Sequence, residues 1–173
     1  MLIRPAITSD IDAIVRVHIE SWQAQFTPFL TPEQVRFKDL DVVNQRVLWQ
    51  RRFSEEEGET RFTFVAEQDN TPVGYITGCL TPVKFDAELH QIYVLPAFHR
   101  KGFGQALVVQ LARALDAKAV TSLFVWVMTI NPAVVFYRDR LGGTYFDTRV
   151  IPDGDGILKE AGYRWSTMED LLK

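Results

Sequence analysis

A single cysteine, Cys79, leaves the chain without an internal disulfide framework or a cysteine-rich zinc site. That usage fits a reducing compartment, and the cytoplasm is the expected location. Long apolar runs are missing as well. The longest solid one, Leu123–Met128, is far short of the roughly 20 residues a membrane helix needs and reads as a buried strand. The opening MLIRPAITSDID has neither the charged-then-apolar plan of a secretory signal nor the composition of a transit peptide. Nor is there a cationic excess: 19 Lys and Arg stand against 22 Asp and Glu, a net charge of −3. No global field then gathers nucleic acid or an anionic membrane, and any anion must be held locally. H-E-x-x-H, C-x-x-C and G-x-S-x-G do not occur, which leaves zinc proteases, zinc ribbons and α/β-hydrolases without motif support; no metal is expected.

What remains is the make-up of one globular domain, 1–173, undivided by repeats or low-complexity linkers and, at 47% hydrophobic, able to bury a core. Ser9 with Asp12 predicts a capping-box start to a first helix, whose core stripe is Ile11, Ile14, Val15, His18, Ile19 and Trp22, and Pro28 ends it. Thr31, Pro32 and Gln34 predict the start of a second helix with a stripe through Leu40, Val43 and Val47 towards Phe53. From Phe62 the period changes. Residues 62–67 and 73–80 predict a hairpin around Asp69, Asn70 and Pro72. Residues 88–94 predict a strand, 105–115 a helix and 123–128 a strand. This βαβ crossover makes the two strands parallel neighbours in a mixed sheet. Asn131 and Pro132 open another helix that Gly142 and Gly143 close. A strand over 144–151, a turn at 153–156 and a short strand over 163–166 complete the chain.

The sharpest local signal is HRKGFG, His99 to Gly104, between a strand and a helix. Two glycines there cost up to about 1 kcal/mol each relative to alanine, so something requires them. One reading is an anion cradle: missing Cβ atoms admit a diphosphate to first-turn N–H groups and the positive end of the helix dipole, with Arg100 and Lys101 adding charge. The other is a tight strand-to-helix turn with both cations exposed. Neither a Walker A loop nor a Rossmann fingerprint fits, because Lys-Ser/Thr is absent and the third glycine would fall at Leu107.

In its surroundings the segment resembles the GCN5-related N-acetyltransferase (GNAT) superfamily, whose signature is Q/R-x-x-G-x-G/A after the fourth strand. ELHQIYVLPAFHRKGFGQAL is similar to that family's strand, loop and helix, VAEQDNTPVGYITG to its preceding hairpin, and NPAVVFYRDRLGG to its fourth helix. His99 departs from the signature's Gln or Arg. The resemblance implies one α/β domain, a mixed sheet of about six to seven strands flanked by about four helices, with the βαβ unit at the cofactor site. It implies acetyl-CoA as acyl donor, with the diphosphate on the N–H groups of Arg100, Lys101, Gly102, Phe103, Gly104 and Gln105. The pantetheine arm would run beside Ile92, Tyr93 and Val94, where the fourth and fifth strands splay, and Asn131 would touch that arm while capping its helix.

By the same resemblance, an N–H near Val94 stabilises the oxyanion, Tyr137 gives a proton to the leaving thiolate, and Glu88 stands where many relatives carry the base. His90 and His18 are alternatives of better intrinsic pKa, each also readable as structural. The implied reaction is acetyl transfer to a primary amine of a small molecule, peptide or protein, in a ternary complex. The rival readings are a non-catalytic acyl-CoA sensor, which would not need Tyr137 or a base, and a transferase of a longer acyl group or to a hydroxyl. No nucleic-acid or membrane partner is implied, and a homodimer through the late strands is.

Overall fold

The computed structural model describes residues 1–31, 40–54, 60–81, 87–153 and 156–172. Its elements are β1 (Leu2–Pro5), α1 (Ile11–Phe26), α2 (Val42–Arg52), β2 (Arg61–Gln68), β3 (Thr71–Leu80) and β4 (Ala87–Val94). They continue with α3 (Phe103–Asp116), β5 (Leu123–Met128), a π-helical turn (Phe136–Arg140), β6 (Thr144–Asp153) and β7 (Gly156–Trp165). The strands form one mixed sheet in the order β1-β2-β3-β4-β5-β7-β6.

Asp69 and Asn70 both adopt left-handed backbone, φ 52° and 59°, which suits the two-residue turn that matches strand twist and closes the β2–β3 hairpin at Gln68↔Thr71. α3 buries Phe103, Leu107, Val108, Leu111, Ala112 and Leu115, an apolar stripe at helical spacing, and it connects β4 to β5 as the expected parallel crossover. The faces of the sheet are set by alternation. Tyr75 bonds to His18 of α1, while a Cβ on Gly78 would touch Leu111 of α3. α1 therefore covers one face and α3 the other.

Four local expectations are corrected. The first helix is entered through a 3-10 turn, Thr8–Asp10, in which the Asp10 carboxylate accepts from the Ile7 N–H at 2.8 Å and binds Arg4 through two hydrogen bonds. Ser9 with Asp12 is not the cap, because Arg4 and Glu67 fix Asp10 from the sheet. Helix α2 is capped by Asp41, which accepts from Val43 and Asn44 N–H. It buries Gln45 and Trp49, while Val43 and Val47 are exposed, because Trp49 packs on Tyr75 and Phe53 and turns the helix that way. The start expected at Pro32 and Gln34 lies outside the described residues. The segment after Asn131 winds into a π-helical turn rather than a regular helix, with the Gly143 N–H donating to the Tyr137 carbonyl and Gly142 at φ 67°. The last hairpin is longer than expected, its paired residues running from Thr144↔Arg164 to Asp153↔Gly156.

The sheet is nearly divided in the middle. β4 pairs β3 along its length but meets β5 at only three positions, Ala87↔Leu123, Glu88↔Phe124 and Leu89↔Val125. Beyond Leu89 the two strands part. At the same point the β3–β4 register slips: Gly78 faces Leu89 and Thr77 faces Gln91, so His90 is the extra residue of a β-bulge. A bulge bends its strand and raises local twist, which steers the end of β4 away from β5.

Candidate active site

The parting strands open a cleft of about 1400 Å3, lined by 89–94 of β4, 125–128 of β5, the glycine loop, residues 131–133 and 135–137, and one side of α1. Arg100 and Gly102 both take left-handed backbone, φ 57° and 87°, in the loop that enters α3. Gly102 is the helix N-cap and supplies no side-chain cap. The first α3 amide to find a carbonyl is that of Ala106, on Gly102 at 3.0 Å. The six amides from Arg100 to Gln105 bond to no described residue. A Cβ on Gly102 would meet nothing within 4 Å among the described residues, which leaves room beside this row of donors. Residues of this kind fit a diphosphate: unpaired N–H groups at a helix N-terminus with room for an anion.

The individual side chains are placed as follows. Gly102, Gly104, Gln105 and Arg100 line the cleft with Ile92, Tyr93, Val94 and Asn131. Lys101 lies over the Phe98 ring, 5.3 Å from its centre, and the Phe103 side chain is buried in the core, leaving only its backbone for the loop. Phe136 packs close to Gly104, where a Cβ would be 3.4 Å from its ring. His99, in the signature's Gln/Arg position, donates from Nε2 to the Val94 carbonyl at 2.7 Å, tying the loop to the end of β4. Asn131 Oδ1 accepts from the Ala133 N–H at 2.7 Å and from Gln25 of α1, and its Nδ2 bonds to no described residue.

Tyr137 is buried in the cleft wall, and its hydroxyl has no hydrogen-bond partner among the described residues. Burial, with Tyr93 nearby, pushes its pKa well above that of a free phenol, so it keeps its proton. Glu88 stands on the α1 face at the closed end of the cleft and is not among the residues that line it. Burial raises its pKa, Arg149 opposes the rise, and Glu160 adds to it. His90 is exposed in the cleft, where desolvation followed by Arg52, Arg61 and Arg149 lowers its pKa to about 4. His18 is buried, and desolvation followed by Arg52 lowers it likewise to about 4.

Sequence reasoning missed the α1-side wall: Ser21, Gln25, Gln91 and Glu160 all line the cleft. Ser21 is 4% exposed, with an Oγ that has no hydrogen-bond partner among the described residues. Gln91 had a readable signal, since consecutive polar residues at 90 and 91 between Leu89 and Ile92 break the period of two and mark the bulge.

The profile of the Acetyltransferase (GNAT) family matches residues 17–142, and the chain belongs to that family. Over 98% of its length it is 28% identical to an uncharacterized N-acetyltransferase, YuaI, of Bacillus subtilis (strain 168), covering 95% of that protein. The fold is shared with the PaiA N-acetyltransferase of Thermoplasma acidophilum in complex with coenzyme A: TM-score 0.70, 18% identity, 92% of this chain and 96% of that one. It is shared too with YncA of Salmonella typhimurium, a putative acetyltransferase solved with acetyl-CoA: TM-score 0.68, 20% identity, 96% and 93% covered.

Proposed function

We propose that the chain moves an acetyl group from acetyl-CoA to a primary amine by direct attack in a ternary complex. The row of six amides from Arg100 to Gln105 that bond to no described residue, opening on the β4–β5 cleft, carries this reading. These donors would hold the diphosphate, and the edge of β4 from Ile92 to Val94 would take the arm as an added strand. Acetyl-CoA brings an activated thioester carbonyl. The chain's own part is to orient it, exclude water and manage two protons.

The amine proton leaves towards Glu88 through water, since the carboxyl does not itself line the cleft; its raised pKa brings it closer to a useful base. As the N–C bond forms and the C–S bond breaks, Tyr137, which burial keeps protonated until then, donates its hydroxyl proton to the departing thiolate. Each proton thus has a source and a destination. Among the described residues no helix is long and apolar enough to cross a membrane, and we place the reaction in the cytoplasm, where the lone Cys79 thiol stays reduced.

Thiol release from acetyl-CoA over a panel of amines tests the proposal. Tyr137→Phe should lower kcat about a hundredfold while coenzyme A affinity by calorimetry stays within a few-fold. Acetyl-CoA binding with no acceptor-dependent turnover would mark a sensor instead.

A further inference from the structure

A polar chain that the proposed chemistry does not use runs beneath the α1-side wall. Arg52 Nη1 and Tyr75 Oη each lie 3.2 Å from one atom of Gln91, Oε1. A guanidinium can only donate, so the atom facing it is the amide oxygen and not the nitrogen. Tyr75 must then donate to that oxygen as well. Its own oxygen accepts from His18 Nδ1 at 2.9 Å, which fixes His18 as the Nδ1–H tautomer. Every link has one permitted direction. Trp49 keeps the donors in place, with the Arg52 guanidinium 4.8 Å from its ring centre and the Tyr75 ring edge-on at 5.2 Å. The result is an amide whose oxygen is gripped from two sides. Its Nε2 bonds to no described residue, and it is the end left for the cleft that Gln91 lines.

We infer that Gln91 sets acceptor specificity: its Nε2 donates to an oxygen, carboxylate or amide carbonyl, carried a few bonds from the attacking amine. The acceptor class is then an α-amino acid or the first residue of a peptide, not a plain alkylamine. This rests on the acetyl-transfer reading. Three observations favour it. Gln91 directly follows the bulge where β4 and β5 part, beside the stretch of β4 assigned to the acyl arm. The cation of Arg52 on its oxygen polarises the amide and favours an anionic or strongly dipolar guest. The amide is already held, so little side-chain freedom is lost on binding. The buried Ser21 hydroxyl, without a partner among the described residues, lies on the α1 side of the same cleft and is a second group suited to a polar acceptor.

The test compares thiol release, with products identified by mass spectrometry, for matched acceptors: alanine, alaninamide, an alanine-led dipeptide and isopropylamine. The wild-type chain should favour the best oxygen-bearing amine over isopropylamine by about ten- to a hundredfold in kcat/KM. The arm that wins tells free carboxylate from peptide carbonyl. Gln91→Leu should bring that ratio towards one. Tyr75→Phe should raise KM for the oxygen-bearing amines several-fold with kcat retained, and it decides the matter if Gln91→Leu melts early. Isopropylamine used as well as the others, or a ratio unchanged in both variants, overturns this inference and leaves acetyl transfer standing. Coenzyme A binding with no amine acetylated overturns both.

Discussion

At the scale of single residues, the buried histidine couples folding to pH. His18 is 6% exposed, and desolvation with the Arg52 charge holds its pKa at about 4, whereas in the unfolded chain it titrates near the usual 6.5. Between those values the unfolded chain carries a proton that the folded one refuses. Stability is therefore whole above pH 6.5 and falls as pH drops towards 4. His18 alone should cost about 2 kcal/mol between pH 7 and pH 5. Urea titrations at the two pH values read this directly, and His18→Gln should lose that part of the slope; identical slopes in the two proteins would refute the assignment. His90 is lowered in the same direction, but its exposure makes its share smaller.

At the scale of elements, the loop entering α3 separates binding from stability. An alanine at Gly102 must adopt φ 87°, at a cost of about 1 kcal/mol, yet its methyl would meet no described residue beyond its chain neighbours within 4 Å. Gly102→Ala should therefore lower Tm by only a few degrees while weakening coenzyme A binding at least tenfold by calorimetry. Equal affinity would remove the loop from the site. This loop, the Asp69–Asn70 turn and the βαβ crossover were legible because each is written in a short run of sequence. The π-helical turn at Tyr137 was not: it depends on the Gly143 N–H reaching back to the Tyr137 carbonyl. The buried face of α2 was equally hidden, since what turns Val43 and Val47 outward is the packing of Trp49 on Tyr75 of a later strand. The capping role of Asp10 needs Arg4 and Glu67, which only the sheet brings together. The place of Gly102, Gly104 and Tyr137 beside one cleft could be read ahead. The polar pair at 90 and 91 marked the bulge, but the grip on the Gln91 oxygen could not be read, because its partners Arg52 and Tyr75 come from α2 and β3.

At the scale of the whole molecule, β1 to β4 and β5 to β7 are two half-sheets joined by three facing pairs and by the helices that cross between them. A ligand filling the gap touches both halves and belongs to the folded state alone. Coenzyme A at a hundred times its Kd should therefore add about 2.7 kcal/mol, a rise in Tm of roughly 5–10 °C, measurable by scanning calorimetry. No shift would mean that the gap is not where the ligand sits. The division itself traces to one inserted amino acid. Remove His90 and the alternation of Leu89, Gln91 and Ile92 survives, but the strand loses its bend and is free to zip onward against Trp126 and Val127. Such a shortened chain should stay folded by circular dichroism and fail to retain coenzyme A, with Tyr137 and Glu88 both still present and the doorway between the half-sheets sewn shut.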